Sequence, residues 1–237
     1  MRRVPQSAGL LTFLDALEFT EAALSADDDA KDLAAPFQAE LQSWESVFKK
    51  EREGRRGVVR AEALVAVRNA RLDDKTTRFG AGALGEAGGD RKSKLFRRFF
   101  TVAPSVFVRR PLRKQCEDTL NIVVVELDKL EPTHPLRAYI NPLQGLATAA
   151  LQALDARNKA KADRTLNTND VDEWKEGVNT LRLTTYAELL KIAAEKGYGK
   201  AWADSFFPAD TDDAAPAGEA EAPATPAEPA GETPATP

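Results

Sequence analysis

A chain of 237 residues, 43% hydrophobic and 30% charged, carries enough apolar material for one large or two small cores. A single cysteine, Cys116, excludes an intrachain disulfide and a thiolate metal framework. No stretch approaches the ~18 consecutive apolar residues of a membrane span, and the formal charge of −4 is unevenly placed: residues 209–237 hold seven acids and no Lys or Arg, which leaves 33 basic against 30 acidic residues in the body.

From the N-terminus, Met1-Arg2-Arg3 has the charge of a signal n-region, but Asp15 and Glu18 cut short the apolar run of residues 10–14. That run is too brief for a secretory h-region, so the expected location is the cytoplasm. Helical periodicity begins near Ser7. Leu33, Phe37, Leu41, Trp44 and Phe48 recur at steps of three or four with Glu40, Lys49 and Lys50 between them, as one apolar stripe requires. Asp27, Asp28 and Asp29 sit where that helix should start, and capping explains them better than a calcium loop, whose ligands alternate. A further helix is expected from Val58 to about Leu84, and Pro111 opens one carrying Cys116, Leu120, Val123, Leu127 and Leu130. Pro135 opens another, within which Pro142 should mark a kink or the true start. Asn169 or Asp170 is expected to cap a last long helix that Gly197 closes. Residues 122–125 are β-branched but lie in a helical frame and are read as helix.

The fold class is therefore all-α, an antiparallel multi-helix bundle over residues 1–208. Helices near 7–25, 29–53 and 57–85 precede a short one ending Phe99-Phe100; helices near 111–130, 135–163 and 170–197 precede one ending Phe206-Phe207. This order suggests two pseudo-repeated four-helix halves, 7–100 and 111–207. Residues 209–237, rich in Ala, Pro, Glu and Thr with no large apolar side chain, are expected to form a disordered tail.

Four motifs match a functional spacing without its context. Gly80, Gly82 and Gly85 form G-x-G-x-x-G, but no strand precedes them and no acid follows at the ribose distance, so an interhelical loop is expected. Glu131 and His134 form E-x-x-H, yet Pro132 and Pro135 forbid a helix through the pair and His134 is the sole histidine. Cys116 falls on an apolar stripe and reads as a small buried side chain. Residues 167–173 lack the glycine and the terminal glutamate of a calcium loop. No cofactor and no metal is expected.

The most unusual stretch is 91–114, with nine basic residues, Arg91, Lys92, Lys94, Arg97, Arg98, Arg109, Arg110, Arg113 and Lys114, no acid, and four phenylalanines, Phe96, Phe99, Phe100 and Phe107. Cations neutralise phosphates and aromatics stack on unpaired bases, so the combination suits nucleic acid or another polyanion; the competing reading buries the phenylalanines and leaves the charges on a solvated face. With histidine nearly absent, catalysis would run on carboxylates alone. The expected function is thus a non-catalytic helical interaction or scaffold protein whose partner is a protein. A polyanion-binding module using 91–114 is the alternative, and a carboxylate-based enzyme the second. Composition does not determine the oligomeric state.

Overall fold

A computed structural model describes residues 3–208; the tail of residues 209–237 lies outside the described residues. Within them the chain is helical and contains no strand. Helix α1 (Leu10–Ala26) leads through a 3₁₀ turn at Lys31–Leu33 into α2 (Ala35–Glu86), 52 residues long. Short helices α3 (Lys94–Phe99) and α4 (Pro104–Phe107) follow. Next comes α5 (Leu112–Asp118), continued by a π-helical segment at Thr119–Val124 and by α6 (Val125–Asp128). A 3₁₀ turn at Pro135–Tyr139 starts the return through α7 (Ile140–Lys196), 57 residues long, and α8 (Lys200–Asp204) closes the fold.

The expected breaks inside the long helices do not occur. Most of residues 29–53 and all of 57–85 belong to one helix, as do most of 135–163 and 170–197. Once turns exist on both sides of Gly54 and Gly57, continuing the helix costs only about 1 kcal/mol per glycine. Gly54 also has a packing reason: a Cβ there would lie 2.8 Å from Asn167 Nδ2, so its absence lets α2 and α7 approach. Asn169 and Asp170 therefore cap nothing. Nearby, the Thr165 and Thr168 hydroxyls donate to the carbonyls of Lys161 and Arg164, four residues back. Pro142 lies in the first turn of α7 and marks its start, and Gly197 ends it with φ of 75°. Gly80, Gly82 and Gly85 are helical rather than a loop; α2 ends only before Gly88 and Gly89, both at positive φ.

Helices α2 and α7 run antiparallel as a stalk, and each end of the stalk is thickened into a core. At the proximal end α1 and α8 pack around Phe13, Leu17, Leu24, Phe37, Val178, Leu189, Phe206 and Phe207. Of the three aspartates expected to cap a helix, Asp27 and Asp29 form a clasp here, while Asp28 is exposed and pairs with Lys31. Asp27 accepts from the Asp29 amide and from Trp202 Nε1, while Asp29 accepts from Lys196 Nζ and Tyr198 Oη. At the distal end α3 to α6 wrap the stalk around Phe79, Phe99, Phe100, Cys116, Leu127, Leu136 and Leu143. His134 stands in the turn before α7, its Nδ1 accepting the Leu136 amide. Residues 7–100 run α1, a 3₁₀ turn, α2 and α3, and residues 111–207 run α5, a π-helical segment, α6, a 3₁₀ turn, α7 and α8, so neither is the expected four-helix half and one long helix stands where two had been expected.

Glycine substitutions separate the two kinds of site on α2. Gly57→Ala meets no atom within 4 Å and is expected to raise stability by about 0.5–1 kcal/mol. Gly80→Ala puts a Cβ 2.6 Å from Pro104 Cγ and 2.9 Å from its Cβ, and the rigid ring has no room to yield. It is expected to cost about 1–3 kcal/mol. Urea denaturation midpoints at constant slope read both.

Candidate anion-binding groove

The stalk is a heptad seam whose middle is not apolar. On α7 the buried positions step by four and three through Leu143, Ala147, Ala150 and Leu154, and resume at Val171, Lys175, Val178, Arg182, Thr185 and Leu189. Between Leu154 and Val171 no α7 residue is buried, and the same register there carries Arg157, Lys161, Arg164 and Thr168. On α2 the buried set likewise thins to Val58 between Phe37 and Leu72. A seam cation is buried only where partners offset its desolvation, as the Gln6 and Ala8 carbonyls do for Lys175, whereas Arg157, Lys161 and Arg164 are not buried. The helices accordingly remain open to solvent on one face there, leaving two clefts of about 710 and 600 Å³ that meet at Glu62.

Seven basic residues and one acid line these clefts: Arg55, Arg109, Arg110, Arg113, Arg157, Lys161 and Arg164 against Glu62. The acid is itself neutralised. Lys161 Nζ lies 2.9 Å from Glu62 Oε1, and this hydrogen bond, with Lys161, Arg157 and Arg164 as nearby charges, holds the Glu62 carboxyl below its ordinary range. Arg164 and Arg109 have no ion-pair partner among the described residues, and the Nε of Arg157 is buried without a hydrogen-bond partner. Valines share the lining, with Val58, Val59 and Val65 on α2. A third cleft of about 650 Å³ extends the groove toward the proximal end, sharing Arg55 and Thr168 and reaching Ser7 to Leu11 at the start of α1.

The structure divides the nine basic residues singled out in the sequence. Arg109, Arg110 and Arg113, in the connection from α4 to α5, line the groove. Arg110 also pairs with Asp118, which Lys114 Nζ approaches at 2.8 Å, and Arg113 pairs with Asp155, which raises the guanidinium's pKa. Arg98 is held 3.0 Å from Glu126. Arg91, Lys92, Lys94 and Arg97 are exposed on α3 and the turn before it, outside the groove lining. The absence of acids within 91–114 thus does not leave all its cations unpaired, because acids outside the stretch, Asp118, Glu126 and Asp155, pair with four of them. Arg55, Arg157, Lys161 and Arg164, which sequence reading passed over, complete the site. On α7 their signal was charge at seam positions, which Lys175 and Arg182 share although both are buried.

The four phenylalanines of the stretch are core. Phe96, Phe99, Phe100 and Phe107 are 2–3% exposed, and Phe100 packs edge-on against Phe107 with centroids 5.6 Å apart. They offer no face to a base.

Cys116 is fully buried in the distal core, and loss of hydration pushes its thiol up to about 11. Native protein is therefore expected to react with a maleimide at least ~100-fold more slowly than urea-unfolded protein, checked by mass shift against time. The linked pH effect has a definite sign. An unfolded thiol titrates near ~8.5 and loses its proton first. Cys116 thus contributes stability fully below that value, and the contribution falls away as pH rises toward about 11.

No protein-family model matches this chain, and no curated protein or solved structure matches it. None of the helices among the described residues is long and apolar enough to cross a membrane.

Proposed function

We propose that this protein is a non-catalytic helical interaction protein that binds an anionic partner in the mid-stalk groove. The observation that carries the reading is the run of cations at α7 seam positions, Arg157, Lys161 and Arg164, where Leu or Val would make a tighter stalk. Positive charge concentrated in a cleft between low-dielectric walls focuses the field and favours an anion over bulk counterions. Among the described residues Asp118 is the buried carboxylate, and Arg110 and Lys114 neutralise it, which favours a structural role over general acid–base chemistry. A long helix followed by a short one in each half, α2 with α3 and α7 with α8, fits an internal repeat that folded back on itself to make the stalk. A cytoplasmic setting suits the single reduced cysteine.

The test is titration of the full chain with polyglutamate over a series of salt concentrations. Binding is expected to weaken steeply as salt rises, and Arg157→Glu with Arg164→Glu is expected to lower affinity at least ~10-fold at low salt. Equal binding by wild type and the double variant would place the anion elsewhere. The second reading, nucleic acid, predicts that mixed oligonucleotides bind more tightly than polyglutamate.

A further inference from the structure

We infer that the anionic partner is an acidic amphipathic helix, which docks along the groove as a third strand of the stalk. This rests on the groove being the binding site and names what fills it.

At both ends of the molecule the α2–α7 pair carries a further helical layer: α1 lies on α2 proximally, and α5 with its π-helical continuation lies on α7 distally. In the middle that layer is missing. The groove starts at the first residues of α1 and stops at the α4–α5 connection. From Phe48 to Asn69 on α2 it runs for about 30 Å at 1.5 Å per residue, room for roughly five or six helical turns.

The lining has two components, and they point to one occupant. Of the seven cations in the two central clefts, Arg55, Arg110, Arg113 and Lys161 pair with Glu51, Asp118, Asp155 and Glu62, and the other three, Arg109, Arg157 and Arg164, call for acids. Val59, 65% exposed in one cleft, and the half-buried Val65 in the other call for apolar side chains. A linear phosphate polymer has nothing to place on valine. Unpaired bases would, but they favour a series of aromatic platforms, and the groove lining offers one aromatic, Phe48 at its proximal end, while those of the basic stretch are buried in the distal core. An acidic amphipathic helix satisfies both, setting a leucine stripe on the valines and flanking carboxylates on the arginines. The start of α1 agrees with this. It faces the groove with its positive dipole end, and Gly9 supplies no capping side chain. The chain's own residues 209–237 match the charge but not the floor, since they include no Val, Leu, Ile, Met or aromatic residue.

The experiment uses the full chain and four fluorescent probes: an 18-residue peptide with a Leu stripe flanked by Glu, its scrambled isomer, polyglutamate, and an 18-nucleotide mixed oligonucleotide. The amphipathic peptide is expected to bind at least ~10-fold more tightly than its scrambled isomer and to gain helical circular dichroism on binding. Val59→Asn with Val65→Asn, checked for an unchanged melting temperature, is expected to weaken that peptide about 10-fold and leave polyglutamate unchanged. If Val65→Asn lowers the melting temperature, Val59→Asn alone gives the same comparison with a smaller change. Equal affinity for both peptides, with no effect of the valine substitutions, would overturn the helix and leave an anion groove standing. Tighter binding of the oligonucleotide would replace the helix with nucleic acid. Absence of binding by every probe would remove the groove as a site altogether.

Discussion

Phe79→Ala is expected to lower the stability of the distal core by about 3–5 kcal/mol. Phe79 is fully buried and meets three other rings, with centroids 5.2 Å from Phe99, 5.4 Å from Phe100 and 5.4 Å from Tyr139. Truncation leaves a cavity bounded by rings that α2, α3 and the turn before α7 hold in place, so collapse can fill little of it. The location of the loss is the sharper part of this expectation. The two cores are joined by a stretch of stalk that buries little apolar side chain, and weak coupling allows one end to open before the other. All three tryptophans report on the proximal end: Trp174 and Trp202 pack against its core, and Trp44 Nε1 donates to the Leu10 carbonyl. In urea, the Phe79→Ala chain is expected to lose part of its helical circular dichroism early while tryptophan fluorescence keeps close to its wild-type midpoint. Equal shifts of the two signals would mean that the stalk transmits stability end to end and that the molecule unfolds as one unit.

The ends of the stalk were legible in the sequence for a simple reason: both are defined by large side chains at helical spacing. Phe37, Leu41 and Trp44 predict the proximal stripe, and Cys116, Val123 and Leu127 the distal one, because burial of such groups dominates any local preference. The uninterrupted length of α2 and α7 was not legible. Gly54, Gly57, Asn167, Asn169 and Asp170 carry strong local signals for a break, and what overrides them is propagation from helix already formed on both sides. The π-helical turn at 119–124 was likewise read as ordinary helix, since residue type alone does not show a widened turn. The groove was legible in part. Composition drew attention to 91–114, of which only Arg109, Arg110 and Arg113 reach it. The rest of the site depends on which face of α7 meets α2, and that register follows from the antiparallel pairing of two helices far apart in sequence.

Filling the seam separates what the groove contributes to function from what it takes from stability. In the variant Arg157→Leu, Lys161→Leu and Arg164→Leu, Thr168 would be the one polar seam residue left between Leu154 and Val171, opposite Val58 and Val65. Three side chains that resist desolvation would be replaced by ones that gain from it, by about 1.5–3 kcal/mol for each leucine that becomes fully buried as the helices close. The accompanying loss is small. Glu62 forfeits its bond to Lys161, but both groups are half exposed, and such pairs contribute only about 0–1 kcal/mol. The triple variant is therefore expected to need more urea to unfold, with tryptophan fluorescence and circular dichroism converging on one transition as the stalk begins to couple its ends. It is also expected to bind polyglutamate at least ~10-fold more weakly than wild type at low salt, since three of the seven groove cations are gone. A gain in stability together with a loss of binding is the signature of residues retained for a partner at the expense of packing. If the variant unfolds at lower urea than wild type, the seam cations are structural and the openness of the middle stalk follows from the backbone approach set at Gly54. If stability rises and binding persists, Arg55, Arg109, Arg110 and Arg113 hold the anion without help from α7, and the ligand lies at the distal end of the groove beside the α4–α5 connection.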